Sequence, residues 1–509
     1  MAQGTACCGW RGASSALIRI EDKPQEHCGI VGIRSYSGKN VTALTLIAME
    51  AQQHRGQQSF GIAVLGYEPV KMKGLVYQGL LNDPTIEQMV GSSAIGHLRY
   101  ATAGSESDIG NFHPIQINST VPLRIAHNGT ISAIELRREL EKRKINVSPE
   151  RTDTELSGYL LAELYKETGN WAETFRQFSS IKVGSFCFVL QLENGDIIAA
   201  RDERGYKPLS YGYHERSNSY VVASEDVALK HIGARKISDV HPGHMLMLGG
   251  GQSSPKLYDF MEGLELPRAY DPFEISYFAR PDSILYGNVN VAVARKRLGK
   301  ALYRKYGVLG DLVVPVPESG NLPGEGYSDA SGVRLSKALI KDRYNIRDVQ
   351  RGFIEAEKAR EDIAEKMILI PEFVNGMHVV VVDDSIIRGT SSSVYIRMLK
   401  DAGAAGITLL AIFPPPQFPC RMGIAYPSRE ELIAYRLCEG GDIEGIGRQV
   451  AIHLEIDFVG YLNPVEFSEA VGMPLGDLCF SCVTGDYSKL EQPQPLYNLL
   501  ACGPVAVPK

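Results

Sequence analysis

Residues Val379–Ser393 read VVVVDDSIIRGTSSS, and the architecture of the carboxy-terminal half turns on them. Four β-branched residues in a row are the pattern of a parallel strand buried on both faces. Two carboxylates, Asp383 and Asp384, follow at the strand's carboxyl end, and a hydroxyl-bearing loop from Ser385 to Thr390 contains Gly389. A helix is predicted next. Ser391, Ser392 and Ser393 offer N-caps, Val394, Met398 and Ala402 recur at helical spacing, and Gly403 ends it. Strand, acidic pair, loop and helix N-terminus together suit a sugar phosphate. Loop amides and the helix dipole hold a phosphate, while the carboxylates bond ribose hydroxyls or a metal.

The chain has 509 residues, enough for two or three domains. Its 44% hydrophobic and 22% charged content is that of a globular protein. A formal net charge of -6 with no Lys/Arg-rich block argues against nucleic-acid binding. No apolar run approaches the roughly 20 residues that cross a bilayer. Residues 1–27 lack a signal-peptide pattern, because Glu21, Asp22 and Glu26 follow a short apolar stretch. The expected location is the cytoplasm. Nine cysteines are too few for a disulfide scaffold, so thiol chemistry or metal ligation is expected where they cluster.

In the amino-terminal half, Cys28-Gly-Ile-Val-Gly-Ile33 opens a short apolar strand, and Val41 to Gln53 reads as a helix. Four further motifs follow in order: His54-Arg55-Gly56-Gln57, Gly96-His97-Leu98-Arg99-Tyr100, Ala126-His127-Asn128-Gly129 and Arg151-Thr152-Asp153. With Cys28-Gly29 they resemble the glutaminase domain of class II glutamine amidotransferases, the N-terminal-nucleophile family. The resemblance implies that 1–27 is a propeptide and that the freed α-amine of Cys28 is the base for its own thiol. It also implies an oxyanion hole at Asn128 and the Gly129 N–H. Arg99 would pair with the α-carboxylate of glutamine and Asp153 with its α-ammonium. His54 and His97 are read as structural. Short strands from Cys187 to Glu225, with the turn Arg201–Leu209, fit a layered αββα sandwich. Asp239-Val240-His241-Pro242-Gly243 is expected to begin its last hairpin.

From Phe273 helices alternate with buried strands, as in a doubly wound parallel sheet. Asp311–Pro317 reads as a strand ending in Glu318-Ser319-Gly320. This turn and the Val379–Ser393 loop resemble the type I phosphoribosyltransferases, which use phosphoribosyl pyrophosphate (PRPP). That resemblance implies PRPP contacts from Glu318, Ser319, Gly320, Lys341, Asp383, Asp384, Ser385, Arg388, Gly389, Thr390 and Ser391. It implies Mg2+ at Ser319, Asp383 and Asp384. Lys341–Tyr344 and Arg351–Ile354 match a segment that closes over PRPP. Farther on, Cys420 and Cys479-Phe480-Ser481-Cys482 suit an iron–sulfur cluster or zinc. Some glutamine PRPP amidotransferases, which the two halves taken together resemble, carry a four-iron (4Fe–4S) cluster, and these cysteines sit where three of its ligands belong. The fourth position is Asp271. That leaves an Asp-ligated cluster, a three-cysteine site with another donor, or no metal.

Together the two halves resemble the glutamine PRPP amidotransferases, a pairing more specific than either half. The resemblance implies 28–265 as glutaminase, 266–470 as phosphoribosyltransferase and 471–509 as a tail with the metal-site cysteines. It implies 5-phosphoribosylamine synthesis from PRPP and glutamine, the first committed step of purine synthesis, by a homotetramer under purine-nucleotide feedback. Two alternatives are an amidotransferase of specialised metabolism on another phosphoribosyl substrate and a non-catalytic PRPP sensor.

Overall fold

The computed structural model describes residues 28–99, 109–252, 254–342, 367–424 and 428–490. The expected propeptide, Tyr100 at the end of the Gly96–Tyr100 motif and the Ala101-Thr102-Ala103-Gly104 that continues it, Arg343–Tyr344 and Arg351–Ile354 lie outside them.

Two antiparallel sheets form the amino-terminal half. The strand β1 (Gly29–Ser35) lies at the centre of a seven-stranded sheet, between Ser219–Ala223 and β2 (Ser93–Arg99). A six-stranded sheet contains β3 (Leu123–Ile131), paired with β4 (Gly184–Leu192). Ile30, Ile95, Ala126 and Val189 fill the space between the sheets. Alternate residues face outward and carry the helices. Val31, Ile33 and Leu98 pack under Thr42–Ala51, while Ile125, Phe186 and Phe188 pack under Asp153–Thr168 and Trp171–Ile181. This period-two division of each strand makes the αββα sandwich. Asp239 ends a strand of the first sheet, and Val240–Gly243 crosses to the second, where His244–Leu248 and Lys256–Asp259 form the final hairpin. The hairpin therefore starts later than the sequence pattern implied.

The carboxy-terminal half is built on a parallel sheet, β5 (Leu312–Pro315), β6 (His378–Asp383), β7 (Gly406–Ala411) and β8 (Phe458–Tyr461), in that spatial order. Val380 and Val382 face one core with Leu298 and Phe467, whereas Val379 and Val381 face another with Tyr395 and Val450. Burial on both faces accounts for the unbroken Val379–Val382 run. The following helix spans Thr390–Asp401 and buries Ser392, Tyr395, Ile396 and Leu399. It begins before the serines expected to cap it. Its core stripe is rotated from Val394 and Met398, because Tyr395 reaches back to Asp383 and Ser392. Among the described residues no helix is long and apolar enough to cross a membrane.

Candidate functional site

Cys28 immediately precedes β1, and Gly29 pairs with Leu98 of β2, so Cys28 and Arg99 lie at the same end of their strands. Arg55 Nε donates to the Cys28 carbonyl at 3.2 Å. Ile30 N–H donates to Ser224 Oγ, which fixes the start of the strand. Arg99 is buried, with its guanidinium over the Phe112 ring. Asn128 is also buried, and its side-chain NH2 has no hydrogen-bond partner among the described residues. A buried amide donor without an acceptor is costly and rare, which marks it as a group waiting for a ligand. Gly129 has φ +147, and a side chain there would lie 2.4 Å from the Ser185 carbonyl oxygen. Asp153 opens the helix capped by Thr152 and accepts from Ile131 N–H at 3.1 Å and Thr154 N–H at 2.7 Å. Asp153 thus sits beside the strand that carries Asn128, and Arg99 ends the strand that pairs with the one following Cys28.

In the second half the Glu318–Gly320 turn and the Asp383–Thr390 loop leave adjacent parallel strands at their carboxyl ends. Pro315 is opposite Val382, and Val316 N–H donates to the Val382 carbonyl at 2.9 Å. This is where open α/β sheets bind ligands. Asp383 Oδ1 accepts from Asp384 N–H, and Asp384 Oδ1 accepts from Ser385 Oγ at 2.5 Å. Gly389, at φ +83, takes the N-cap position of the helix and carries no side chain to cap it. Ser393 Oγ instead donates back to the Gly389 carbonyl. The first-turn amides of Thr390 and Ser391 lie at the positive end of the helix dipole. Arg388 is bound to Glu431 through Nε at 2.9 Å. Lys341 is exposed at the end of Leu339–Lys341, at the edge of the described residues.

The four expected cluster donors converge. Asp271, Cys420, Cys479 and Cys482 line one cavity. Met422 and Ile424 N–H both donate to Cys420 Sγ at 3.4 Å. Cys479 N–H donates to the Tyr270 carbonyl, beside Asp271. Burial pushes the Cys479 thiol up to about 12. Among the described residues no group of three or more His, Cys, Asp or Glu could hold a single metal ion. A four-iron cluster makes a different demand, since each iron takes its own protein donor and the donors stand apart. A shared cavity with amides aimed at sulfur fits that group. Asp271 fits less well, because its Oδ2 is held by Lys207 Nζ at 2.7 Å.

The sequence reading missed Arg55. Its motif was visible, but the partners of its buried side chain, Glu225 and Glu274, are about 170 and 219 residues away. The Ser185 hydroxyl, which donates to the Met422 carbonyl at 2.5 Å, was equally hidden. It joins the sheet behind Gly129 to the segment carrying Cys420.

Residues 98–231 match a family described as glutamine amidotransferase domain. The amidophosphoribosyltransferase of Methanothermobacter thermautotrophicus is 38% identical over 475 residues, 92% of this chain and 95% of the relative. That of Synechocystis is 34% identical over 476 residues, covering 92% of each. Among solved structures, glutamine PRPP amidotransferase from B. subtilis complexed with ADP and GMP superposes with a TM-score of 0.78. It is 31% identical and covers 92% of this chain and 98% of that one.

Proposed function

The chain belongs to the amidophosphoribosyltransferase family, and from that premise we propose how its residues divide the reaction. It is a glutamine-dependent PRPP amidotransferase of purine biosynthesis. Cys28, at the amino terminus once 1–27 are removed, gives its thiol proton to its own α-amine and attacks the glutamine side-chain carbon. Asn128 Nδ2–H and Gly129 N–H stabilise the oxyanion. Arg99 and Asp153 hold the α-carboxylate and α-ammonium. Collapse of the tetrahedral adduct releases ammonia and leaves a thioester, which water cleaves to glutamate and free thiol.

Ammonia then attacks C1 of PRPP, and the C1–O bond to pyrophosphate breaks with inversion, giving 5-phosphoribosylamine. The amides around Gly389, Thr390 and Ser391 and the Ser385 hydroxyl hold the 5-phosphate. Asp383 and Asp384 bond the ribose hydroxyls, and Glu318, Ser319 and Gly320 cradle the pyrophosphate, with Lys341 and Arg388 supplying positive charge. Ser319, Asp383 and Asp384 would hold Mg2+, which would neutralise charge on the leaving pyrophosphate. Cys420, Cys479 and Cys482, with Asp271 as the fourth donor, would hold a 4Fe–4S cluster with a structural part. Segments 28–265, 266–470 and 471–509 are the proposed units. A homotetramer inhibited by purine nucleotides completes the reading, supported by the ADP and GMP of the B. subtilis neighbour.

The observation that supports this reading best is the buried, unpartnered Asn128 amide in the half that begins at Cys28. Incubation with PRPP, Mg2+ and amide-labelled glutamine tests it. The label should appear in 5-phosphoribosylamine, trapped chemically because it is unstable. Labelled ammonia without the amine, or label in another phosphoribosyl product, would refute it.

A further inference from the structure

Behind Asn128 lies a cluster of three buried histidines, His97, His113 and His127, with no place in the chemistry above. His97 Nε2 is 3.0 Å from the main-chain carbonyl oxygen of His127 and 3.1 Å from His113 Nδ1. A carbonyl only accepts, so the first contact fixes His97 as the tautomer with its proton on Nε2. His97 Nδ1 is then the bare nitrogen, and it has no partner among the described residues, which costs less than a buried N–H left unpaired. His113 Nδ1 is left as an acceptor, with its own proton on Nε2. Burial lowers the pKa of all three histidines, that of His97 to about 3, so the neutral forms persist at neutral pH.

The carbonyl that His97 grips belongs to the His127–Asn128 peptide. The strand Ile115–Ile117 pairs with β3 only as far as Ile125, so beyond that residue β3 has no strand on that edge among the described residues. His97 reaches across from the other sheet and takes its place. The His127 ring is held separately, by Thr154 Oγ1 at 3.0 Å and against Phe188. A peptide unit is planar, so fixing its carbonyl also fixes the plane from which the next residue departs.

We propose that His97 is a positioning residue for glutamine hydrolysis, whose Nε2–H clamps the His127–Asn128 peptide and so aims the Asn128 amide at the developing oxyanion. The inference rests on the reading of Asn128 as an oxyanion donor. Donors of this kind work because they are oriented before charge appears, so a loosened clamp lowers kcat more than it raises KM.

The test measures glutaminase kcat and KM in full-length His97→Ala, His97→Gln, Asn128→Ala and the His97→Ala/Asn128→Ala double variant, with ammonia-dependent synthesis as the check on folding. His97→Ala should lose about tenfold or more in kcat, with KM for glutamine within about twofold and the ammonia route unchanged. Gln can place an N–H near the Nε2 position, so His97→Gln should recover most of the loss. In the Asn128→Ala background, removing His97 should change kcat by less than about twofold. Wild-type kcat in His97→Ala, equal loss of the ammonia route, or a full additional loss in the double variant overturns the inference. Slow Asn128→Ala with fast His97→Ala refutes the clamp alone, whereas wild-type turnover in Asn128→Ala refutes the oxyanion reading beneath it.

Discussion

Arg55 donates to both carboxylate oxygens of Glu274, at 2.7 and 2.9 Å, although 219 residues separate them. The same guanidinium donates to Glu225 at 2.6 Å and to the carbonyl of Cys28. One cation thus ties the proposed nucleophile to the segment that opens the phosphoribosyltransferase half. Burial alone would drive Arg55 down and the two glutamates up. Pairing outweighs it, so Arg55 is raised, while His54 and then Arg55 hold Glu225, and Arg55 and then Lys207 hold Glu274, below the usual carboxylate range.

Removing one partner of such a group leaves the other charge buried and uncompensated. Glu274→Ala should therefore lower the unfolding free energy by about 3–5 kcal/mol. Denaturant titration checks this, and a loss below about 1 kcal/mol would show that Glu225 alone satisfies Arg55. The ratio of glutamine hydrolysed to amine formed should rise as well, because the variant loosens the link between the two sites.

Acid should act on the protein in two steps. His97 has a folded-state pKa near 3 against about 6.5 when unfolded, so between these values the unfolded chain binds more protons. Stability should fall as pH drops below about 6.5. Glu225 and Glu274 have depressed values, so their contribution, present above about pH 4.5, is lost as pH falls further. Urea unfolding at pH 7 and pH 5 should show the first step, and His97→Gln should reduce it. An identical slope in the variant would assign the acid sensitivity to His113 and His127.

Cys28→Ala should abolish use of glutamine and spare synthesis from ammonia, because the two sites perform separate chemistry. Intact-mass measurement of active protein should find Cys28 as the first residue. Active protein that retains residues before Cys28 would rule out the α-amine as base.

Asp383→Asn combined with Asp384→Asn should weaken PRPP binding, each charge-assisted hydrogen bond being worth about 1.5–3 kcal/mol. Calorimetric titration of PRPP reads the change, and the glutaminase step should survive. Unchanged affinity would move the ribose contacts elsewhere.

The local sequence carried much of this molecule. A run of valines fits a strand buried on both faces, as in a covered parallel sheet, and Asp383, Asp384 and Gly389 fall where that strand turns. The short strands from Cys187 to Glu225 likewise pointed to the layered sandwich. The phase of Thr390–Asp401 was less legible, since Tyr395 serves both as core and as a hydrogen-bond partner of Asp383. Long-range polar pairing was not legible at all. Nothing near Arg55 names Glu274, and nothing near Asp271 names Lys207, because burial and charge compensation are properties of the assembled core.

The pairing of Lys207 with Asp271 bears on the thiols. Lys207 Nζ is 2.7 Å from Asp271 Oδ2 and 3.4 Å from Glu274 Oε1, and both groups are buried. Burial would lower the ammonium, but the two carboxylates more than offset it, so Lys207 stays charged. A carboxylate donor is harder and less covalent than a thiolate, and here it must also share its charge with the lysine. Iron held this way should be the most easily lost of a four-iron set. Anaerobically purified protein should be brown and contain iron, and Cys482→Ser should lose it. Asp271→Cys should hold iron longer in air than the wild type, read as the half-time of the visible absorption under oxygen. Equal half-times would show that Asp271 is not a ligand. Colourless anaerobic protein with neither iron nor zinc would leave Cys420, Cys479 and Cys482 as buried packing residues and Asp271 as the partner of Lys207 alone.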